Sequence, residues 1–161
     1  MFTIEHLVFP ASFLDEAWRT LRPGGCLLIV APDFTFHPMP SERIGLGYGA
    51  GREKLAQGRI LDALLTAYDT QIRTYLNRLW RRMYLRHGAH TFPILVEPRC
   101  LRLPGFTPDC DAVYPSCPEE ILNYFQKEKP ELGPAEIFHR DNSSFGVAIR
   151  KQAHPNQVPT L

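Results

Sequence analysis

The sequence predicts an α/β fold, and three stretches of the chain support this prediction. An amphipathic segment followed by Pro23-Gly24-Gly25 and an apolar run indicates a helix that returns into a buried strand. Apolar residues recur at three- and four-residue steps from Glu53 to about Arg86, which indicates a long helix. Near the C-terminus, a further helical segment precedes two strand-like segments joined by a short turn, which is typical of an antiparallel hairpin.

The first helix and strand lie between Ser12 and Asp33. Ser12 belongs to the residue types that cap helices, and Asp15 follows three positions later as a capping-box partner. One face of this helix is predicted to carry apolar side chains at i, i+3, i+4 and i+7, namely Leu14, Ala17, Trp18 and Leu21. The apolar run from Cys26 to Ala31 is too short for a helix. It predicts a strand that is buried on both faces of a parallel sheet.

A more specific pattern joins this helix to its strand, and its defining positions are Arg19, Leu21, Pro23, Gly24 and Gly25. Together with the upstream pair Glu5-His6, the pattern resembles the class I S-adenosylmethionine-dependent methyltransferases. In that family a Glu-His pair follows the fourth strand, and a helix ending in Arg-x-Leu-(Lys/Arg)-Pro-Gly-Gly leads into the fifth. The resemblance covers about the first 33 residues well and about the last 40 more loosely.

The resemblance implies a partial Rossmann-like methyltransferase sheet that lacks the family's glycine-rich cofactor loop and ribose-binding acidic residue. Under this interpretation the chain is the C-terminal part of a methyltransferase domain, and S-adenosylmethionine is the cofactor. Glu5, His6 and Leu7 are then expected at the mouth of the cofactor pocket, on the carboxyl edge of the sheet where ligands collect. The alternative is that Glu5 and His6 are ordinary polar residues before a helix.

The loop after the first strand carries the predicted catalytic residues. Asp33 and His37 are its titratable side chains, and histidine is the usual general base near neutral pH. Phe34 and Phe36 are suited to line an aromatic or apolar substrate site. A surface loop with two half-buried aromatic side chains is the alternative.

Residues 34–110 are predicted to be an insertion that covers the substrate, in the place where the family often has one. Gly58 marks an expected break in its long helix. Six arginines accompany the apolar stripe, mostly toward the C-terminal end: Arg59, Arg73, Arg78, Arg81, Arg82 and Arg86. They are interpreted as a solvated face of the helix. The alternative is that they bind an acidic substrate or the phosphates of RNA.

The C-terminal part completes the predicted domain, which spans residues 1–152. Ser116 with Glu119 forms a capping box, and Pro118 suits the first turn of a helix. Strands are predicted over 135–140 and over 145–151, where Phe145, Val147 and Ile149 alternate with small residues. The short connection between the two strands requires an antiparallel pair. The resemblance implies that the last strand inserts antiparallel into the sheet. Residues 153–161 are polar and are predicted to be a disordered tail.

Composition gives little evidence of further partners. The 161-residue chain has a formal net charge of +1, which gives no overall argument for nucleic acid or an anionic membrane. No apolar run is long enough to span a bilayer, and no signal peptide is evident, so a cytoplasmic location without a membrane partner is expected. The spacing of Cys26, Cys100, Cys110 and Cys117 matches no common zinc pattern, so no metal site is predicted.

Two functions follow from these observations. The leading one is S-adenosylmethionine-dependent methyl transfer to an unidentified acceptor, with the cofactor site supplied by a region outside this chain. The alternative is a non-catalytic methyltransferase-like scaffold that pairs with a partner protein completing its sheet, with the arginine-rich helix as a contact surface. The outer edge of the strand Cys26–Ala31 discriminates between them, because a complete enzyme covers it with another strand.

Overall fold

The computed structural model describes residues 4–35, 39, 51–96, 111–141 and 143–153. Within them, helices cover one face of a three-stranded sheet made of β1 (Cys26–Pro32), β2 (Leu132–Arg140) and β3 (Ser144–Lys151). The predicted combination of helices and strands is therefore confirmed at the level of an α/β fold.

The helices and strands follow one another along the chain in the predicted order. A 3₁₀ turn (Ile4–His6) precedes α1 (Pro10–Thr20), and α5 (Pro118–Glu128) precedes the hairpin. Between β1 and α5 lie α2 (Gly51–Ala56), α3 (Ile60–Ala67), a π-helical segment (Tyr68–Arg73) and α4 (Thr74–Arg86). None of the helices in the described ranges is long and apolar enough to cross a bilayer.

The sheet has the order β1-β3-β2, so the last strand of the chain lies in the middle. β3 is antiparallel to both neighbours, and Val147 faces Ile29 on one side and Ile137 on the other. Since both outer strands run opposite to β3, β1 and β2 are parallel to each other. The predicted C-terminal hairpin is confirmed, although β2 begins earlier than expected, at Leu132.

The core lies between the sheet and the two helices α1 and α5. The α1 side chains Leu14 and Trp18 are buried, as predicted from their spacing. The rings of Trp18 and Phe125 of α5 pack with centroids 5.3 Å apart. From the sheet, this core receives the alternate residues Ile29, Ala31, Phe145, Val147 and Ile149. The period-two pattern of β3 therefore identified its buried face correctly.

The prediction that β1 is buried on both faces is wrong for the described residues. Leu28 is 63% exposed and Val30 is 42% exposed, because α1 and α5 cover only the opposite face. The antiparallel pairing of β1 with β3 agrees with the expectation that the last strand inserts antiparallel into the sheet, and no described strand pairs parallel with β1. Among the described strands, β3 is the only partner of β1, and the outer edge of β1 is open.

Neither of the two predicted capping residues, Ser12 and Ser116, is the N-cap of its helix. α1 begins at Pro10, two residues before Ser12, because proline is already preorganised for the first helical position. The N-cap of α5 is Cys117, and the Ser116 hydroxyl donates to the Pro32 carbonyl oxygen at 2.7 Å instead. The proline at the start of α5 is confirmed.

The long predicted helix is interrupted where Gly58 takes a left-handed conformation with φ +74°. α2 then folds back onto α3, and Lys54 Nζ donates to Thr66 Oγ1 at 2.8 Å. From Ile60 to Arg86 the chain is helical throughout, through the π-helical segment. Residues 36–38, 40–50 and 97–110 of the expected insertion, and residues 154–161 of the expected disordered tail, lie outside the described residues.

Candidate functional site

The predicted cofactor residues Glu5 and His6 lie in the 3₁₀ turn, and Leu7 follows it directly. The turn is held against the segment that precedes α5. The side chain of Glu5 is fully buried. Its backbone oxygen accepts hydrogen bonds from the amides of Val113, at 2.8 Å, and Tyr114, at 2.9 Å. Leu7 is half-buried and packs against the hydrophobic core. The turn is therefore fixed by backbone bonds and leaves His6 as its accessible polar side chain.

The His6 ring lies between two carboxylates. Its Nε2 is 3.5 Å from Glu5 Oε1, and its Nδ1 is 3.3 Å from Asp111 Oδ1. The side chain of Glu5 is buried, whereas that of Asp111 is 78% exposed, so the three groups lead from the interior to the surface. Asp111 is therefore the carboxylate that is exposed at the surface beside His6.

Asp33 follows β1 directly and is almost completely buried. Its carboxylate accepts from the Thr35 amide at 2.8 Å and from Arg140 Nε at 2.8 Å. Arg140 also binds the carboxylate of Glu119, which ties β2 to the start of α5. These contacts anchor the first residues of the loop. The catalytic role of Asp33 stays a prediction, and His37 lies outside the described residues.

One short segment connects the two groups of predicted site residues. The Tyr114 amide binds Glu5, and two residues later the Ser116 carbonyl accepts from the amide of Phe34 at 3.0 Å. The Ser116 hydroxyl also donates to Pro32. The structure therefore joins the Glu5 turn and the loop after Asp33 through residues 114–116, at the carboxyl end of β1.

A buried carboxylate that the sequence analysis missed lies beside this segment. Glu120 is 1% exposed and accepts from the Phe92 amide at 2.9 Å and the Tyr114 hydroxyl at 3.0 Å. Burial raises the pKa of Glu120 above its ordinary value, against the opposing effect of Arg81 at 4.0 Å. Burial, together with the neighbouring Glu120 charge, also raises the pKa of Tyr114 well above its usual range. No local sequence signal identified Glu120, because its partners come from distant segments.

Arg81 attaches α4 to the same region. Its guanidinium donates to the carbonyl oxygens of Phe34, at 3.3 Å, and Pro115. This arginine therefore lies inside the structure, unlike the solvated face expected for the group. The described contacts of Phe34 are to backbone atoms of Ser116 and to Arg81. α4 is consequently fixed to the end of β1.

The described part of the chain contains no candidate metal centre. In the described ranges, no group of three or more His, Cys, Asp or Glu side chains is placed to hold a metal ion. Cys117 is buried and donates to Glu119 Oε2 at 3.3 Å, and burial raises its pKa to about 12. Such a thiol does not ionise readily to form a metal ligand. Cys100 and Cys110 lie outside the described residues.

A shallow groove of about 280 Å³ runs along α4 and is lined by Leu76, Asn77, Leu79, Trp80 and Met83. Its lining is almost entirely apolar and shares no residue with the Glu5 turn or the loop after β1. The groove and the polar cluster at the end of β1 are therefore separate features.

Comparison with known proteins adds no assignment. No family model, no curated protein and no solved structure matches the chain. The function must therefore be argued from the residues and their arrangement.

Proposed function

We propose that this chain is the C-terminal part of a class I S-adenosylmethionine-dependent methyltransferase whose cofactor site is completed by a region outside it. One observation carries the proposal. The final strand, β3, lies antiparallel between β1 and β2, and β1 follows a helix that ends at Pro23-Gly24-Gly25. This is the connectivity that the resemblance implies. It supports a Rossmann-like sheet of which these three strands are one side.

The position of the Glu5 turn also supports the proposal. Glu5, His6 and Leu7 would hold the cofactor from the carboxyl end of β1, where ligands bind in open α/β sheets. The exposed carboxylate of Asp111, beside His6, suits a ligand that carries ribose hydroxyls and a positive charge. When bound, S-adenosylmethionine supplies an activated methyl group.

The residues of this chain would act mainly by orientation. Methyl transfer requires alignment of an acceptor with the methyl group more than acid–base chemistry. Asp33 and Arg140 fix the start of the loop that follows β1. In this proposal that loop faces the acceptor, and His37 removes its proton where the acceptor must be deprotonated. A cytoplasmic location belongs to the same proposal and is supported by the free thiols of Cys26 and Cys117.

Calorimetric titration of the chain with S-adenosylmethionine tests this function. We expect weak binding, with a Kd on the order of 1 mM, because this chain supplies only part of the site. His6→Ala should abolish the heat. The control His139→Ala, at a half-exposed side chain of the hairpin, should leave it unchanged. Absence of heat at millimolar cofactor contradicts the proposal.

The second candidate function is a scaffold module, and the open edge of β1 favours it. β1 pairs only with β3 among the described strands, and Leu28 and Val30 expose apolar surface beside that edge. An added strand from a partner would satisfy its backbone groups and cover these side chains. Absence of cofactor binding, combined with self-association that Val30→Lys abolishes, would favour this function.

A further inference from the structure

The outward face of α4 and the end of the π-helical segment is the strongest feature with no assigned role. We define this α4 face by Ile72, Tyr75, Leu76, Leu79, Trp80, Met83 and Tyr84. Their side chains are between 47% and 73% exposed in the part of the chain that the structure describes. Seven large side chains in this state present on the order of 800 Å² of surface. The largest apolar patch of a typical monomer is about 300–600 Å².

The α4 face points outward because the other side of the helix is fixed. Arg81 binds backbone oxygens at the end of β1. Asn123 of α5 donates to the carbonyl oxygens of Leu85, at 3.3 Å, and Ala89, at 3.2 Å. The apolar residues of the face recur at three- and four-residue steps, which places them together on the remaining side.

The charge of this region points to an anionic partner. Residues 70–96 contain five arginines and no aspartate or glutamate, and of these arginines Arg73 pairs with Asp69 and Arg81 faces Glu120. Arg82 and Arg86 are exposed, and neither forms an ion pair with any residue in the described ranges. The overall net charge of +1 hides this local excess of positive charge.

We propose that the α4 face docks on the surface of an anionic lipid bilayer. Aliphatic and aromatic side chains beside arginines are the composition of a helix that lies in the plane of a membrane interface. Trp80 and Tyr84 suit the headgroup level, while Leu76 and Leu79 are suited to contact acyl chains. The absence of a spanning segment does not bear on this mode, because the helix lies on the bilayer.

Charge and side-chain chemistry favour lipid over the other occupants. A second copy of the chain would bring two arginine-rich surfaces together, which is repulsive. RNA would satisfy the arginines and stack on Trp80, yet it would leave Leu76, Leu79 and Met83 without apolar partners. An anionic bilayer satisfies both the charges and the apolar side chains. The proposal does not depend on methyltransferase activity.

Vesicles of phosphatidylcholine with about 30 mol% phosphatidylglycerol provide the test, with pure phosphatidylcholine as comparison. The chain has two tryptophans, and Trp18 is only 7% exposed, so Trp80 is the sensitive fluorophore. We expect co-sedimentation and a blue shift of emission with anionic vesicles, and Trp80→Phe should remove the shift. About 0.5 M salt should weaken binding by screening.

Two sets of variants separate docking from misfolding. The double variant Arg82→Ala/Arg86→Ala should partition roughly 25-fold more weakly, about fivefold for each charge removed. The control Arg22→Ala/Arg150→Ala removes two exposed arginines from other elements and should bind like the wild type. Leu76→Gln, at an exposed position, should weaken binding without changing the urea midpoint.

Four outcomes would overturn the proposal. The first is the absence of a blue shift with anionic vesicles, and the second is equal vesicle binding by the two double variants. The third is a dimer, detected by light scattering, that Leu76→Gln dissociates. The fourth is binding of single-stranded RNA that requires Arg82 and Arg86, without binding to vesicles. Each of the last two would assign the α4 face to a different partner.

Discussion

Replacing the buried carboxylate of Glu120 tests whether the polar cluster beside β1 stabilises the fold. Glu120→Leu removes the acceptor of the Phe92 amide and of the Tyr114 hydroxyl, and it leaves Arg81 without its nearest carboxylate. A buried donor left without an acceptor costs about 1–3 kcal/mol. We therefore expect Glu120→Leu to lower the free energy of unfolding by about 2–5 kcal/mol, a large part of the roughly 5–15 kcal/mol of a typical domain.

The isosteric variant Glu120→Gln separates charge from hydrogen bonding. Its amide oxygen still accepts from Phe92, and we expect a loss of about 1 kcal/mol at neutral pH. Burial raises the pKa of Glu120 in the folded chain above the ordinary value of 4.5. The protonated carboxyl is therefore favoured by folding, and its stabilisation is present below pH 4.5 and lost as the pH rises through the folded pKa. The stability of the wild type relative to Glu120→Gln should therefore fall as the pH rises above 4.5 and through the folded pKa of Glu120.

Urea denaturation followed by circular dichroism measures both effects. Glu136→Gln is the matched control, because Glu136 is an exposed residue of β2 and should change stability by less than about 0.5 kcal/mol. A Glu120→Leu variant that is no more destabilised than the control would refute the stabilising role of Glu120. A wild type that gains stability relative to Glu120→Gln as the pH rises would refute the raised pKa.

Three further predictions concern the turn before β1, acid stability and thiol reactivity. A Cβ at Gly25 would lie 2.8 Å from the Arg22 carbonyl oxygen, so Gly25→Ala should lower the free energy of unfolding in urea by about 1–3 kcal/mol. A Cβ at Gly58 would lie in open space, so Gly58→Ala should show only the strain of the left-handed conformation, about 1 kcal/mol. Hydrogen bonds from Lys129 and Tyr124 lower the pKa of Asp15, so its stabilisation is present above pH 3.8 and lost as the pH falls through the folded pKa. Asp15→Asn should therefore reduce the loss of stability on acidification, and an unchanged acid profile would contradict this. Cys117 is buried with a pKa raised to about 12, so peptide mapping after alkylation at pH near 8 should find it modified more slowly than Cys26, and equal rates would contradict its burial.

The parts of the fold that the sequence predicted are those encoded within a few neighbouring residues. α1 ends at Thr20, shortly before Pro23, whose ring cannot continue a helix, while Gly24 and Gly58 take left-handed conformations that redirect the chain. The alternation of Phe145 with Val147 identified a half-buried strand because side chains point to opposite faces at successive positions. These signals require no knowledge of the rest of the chain.

The features that the sequence did not predict depend on long-range packing. Ser116 is of a residue type that caps helices, but its hydroxyl instead donates a hydrogen bond to the carbonyl oxygen of Pro32. Leu28 and Val30 are apolar enough for a fully buried strand, yet they are exposed because the described helices cover one face only. At the candidate site, Glu5 and Phe34 both form hydrogen bonds to the segment 114–116, which is distant from both in sequence. The cluster around Glu120 likewise depends on a distant residue, Phe92.

The π-helical segment at Tyr68–Arg73 sets the rotational phase between the two halves of the long helix. A π turn accommodates an additional residue relative to an α-helix, so deletion of Thr70 would allow a regular α-helix to form through this point. Because the π turn absorbs that residue locally, the deletion would leave α3 and α4 in nearly the same rotational phase. In an uninterrupted α-helix, the loss of one residue would instead rotate the two halves by about 100° relative to each other. The hairpin of α2 and α3 would therefore keep its orientation relative to α4, which Arg81 anchors to the end of β1.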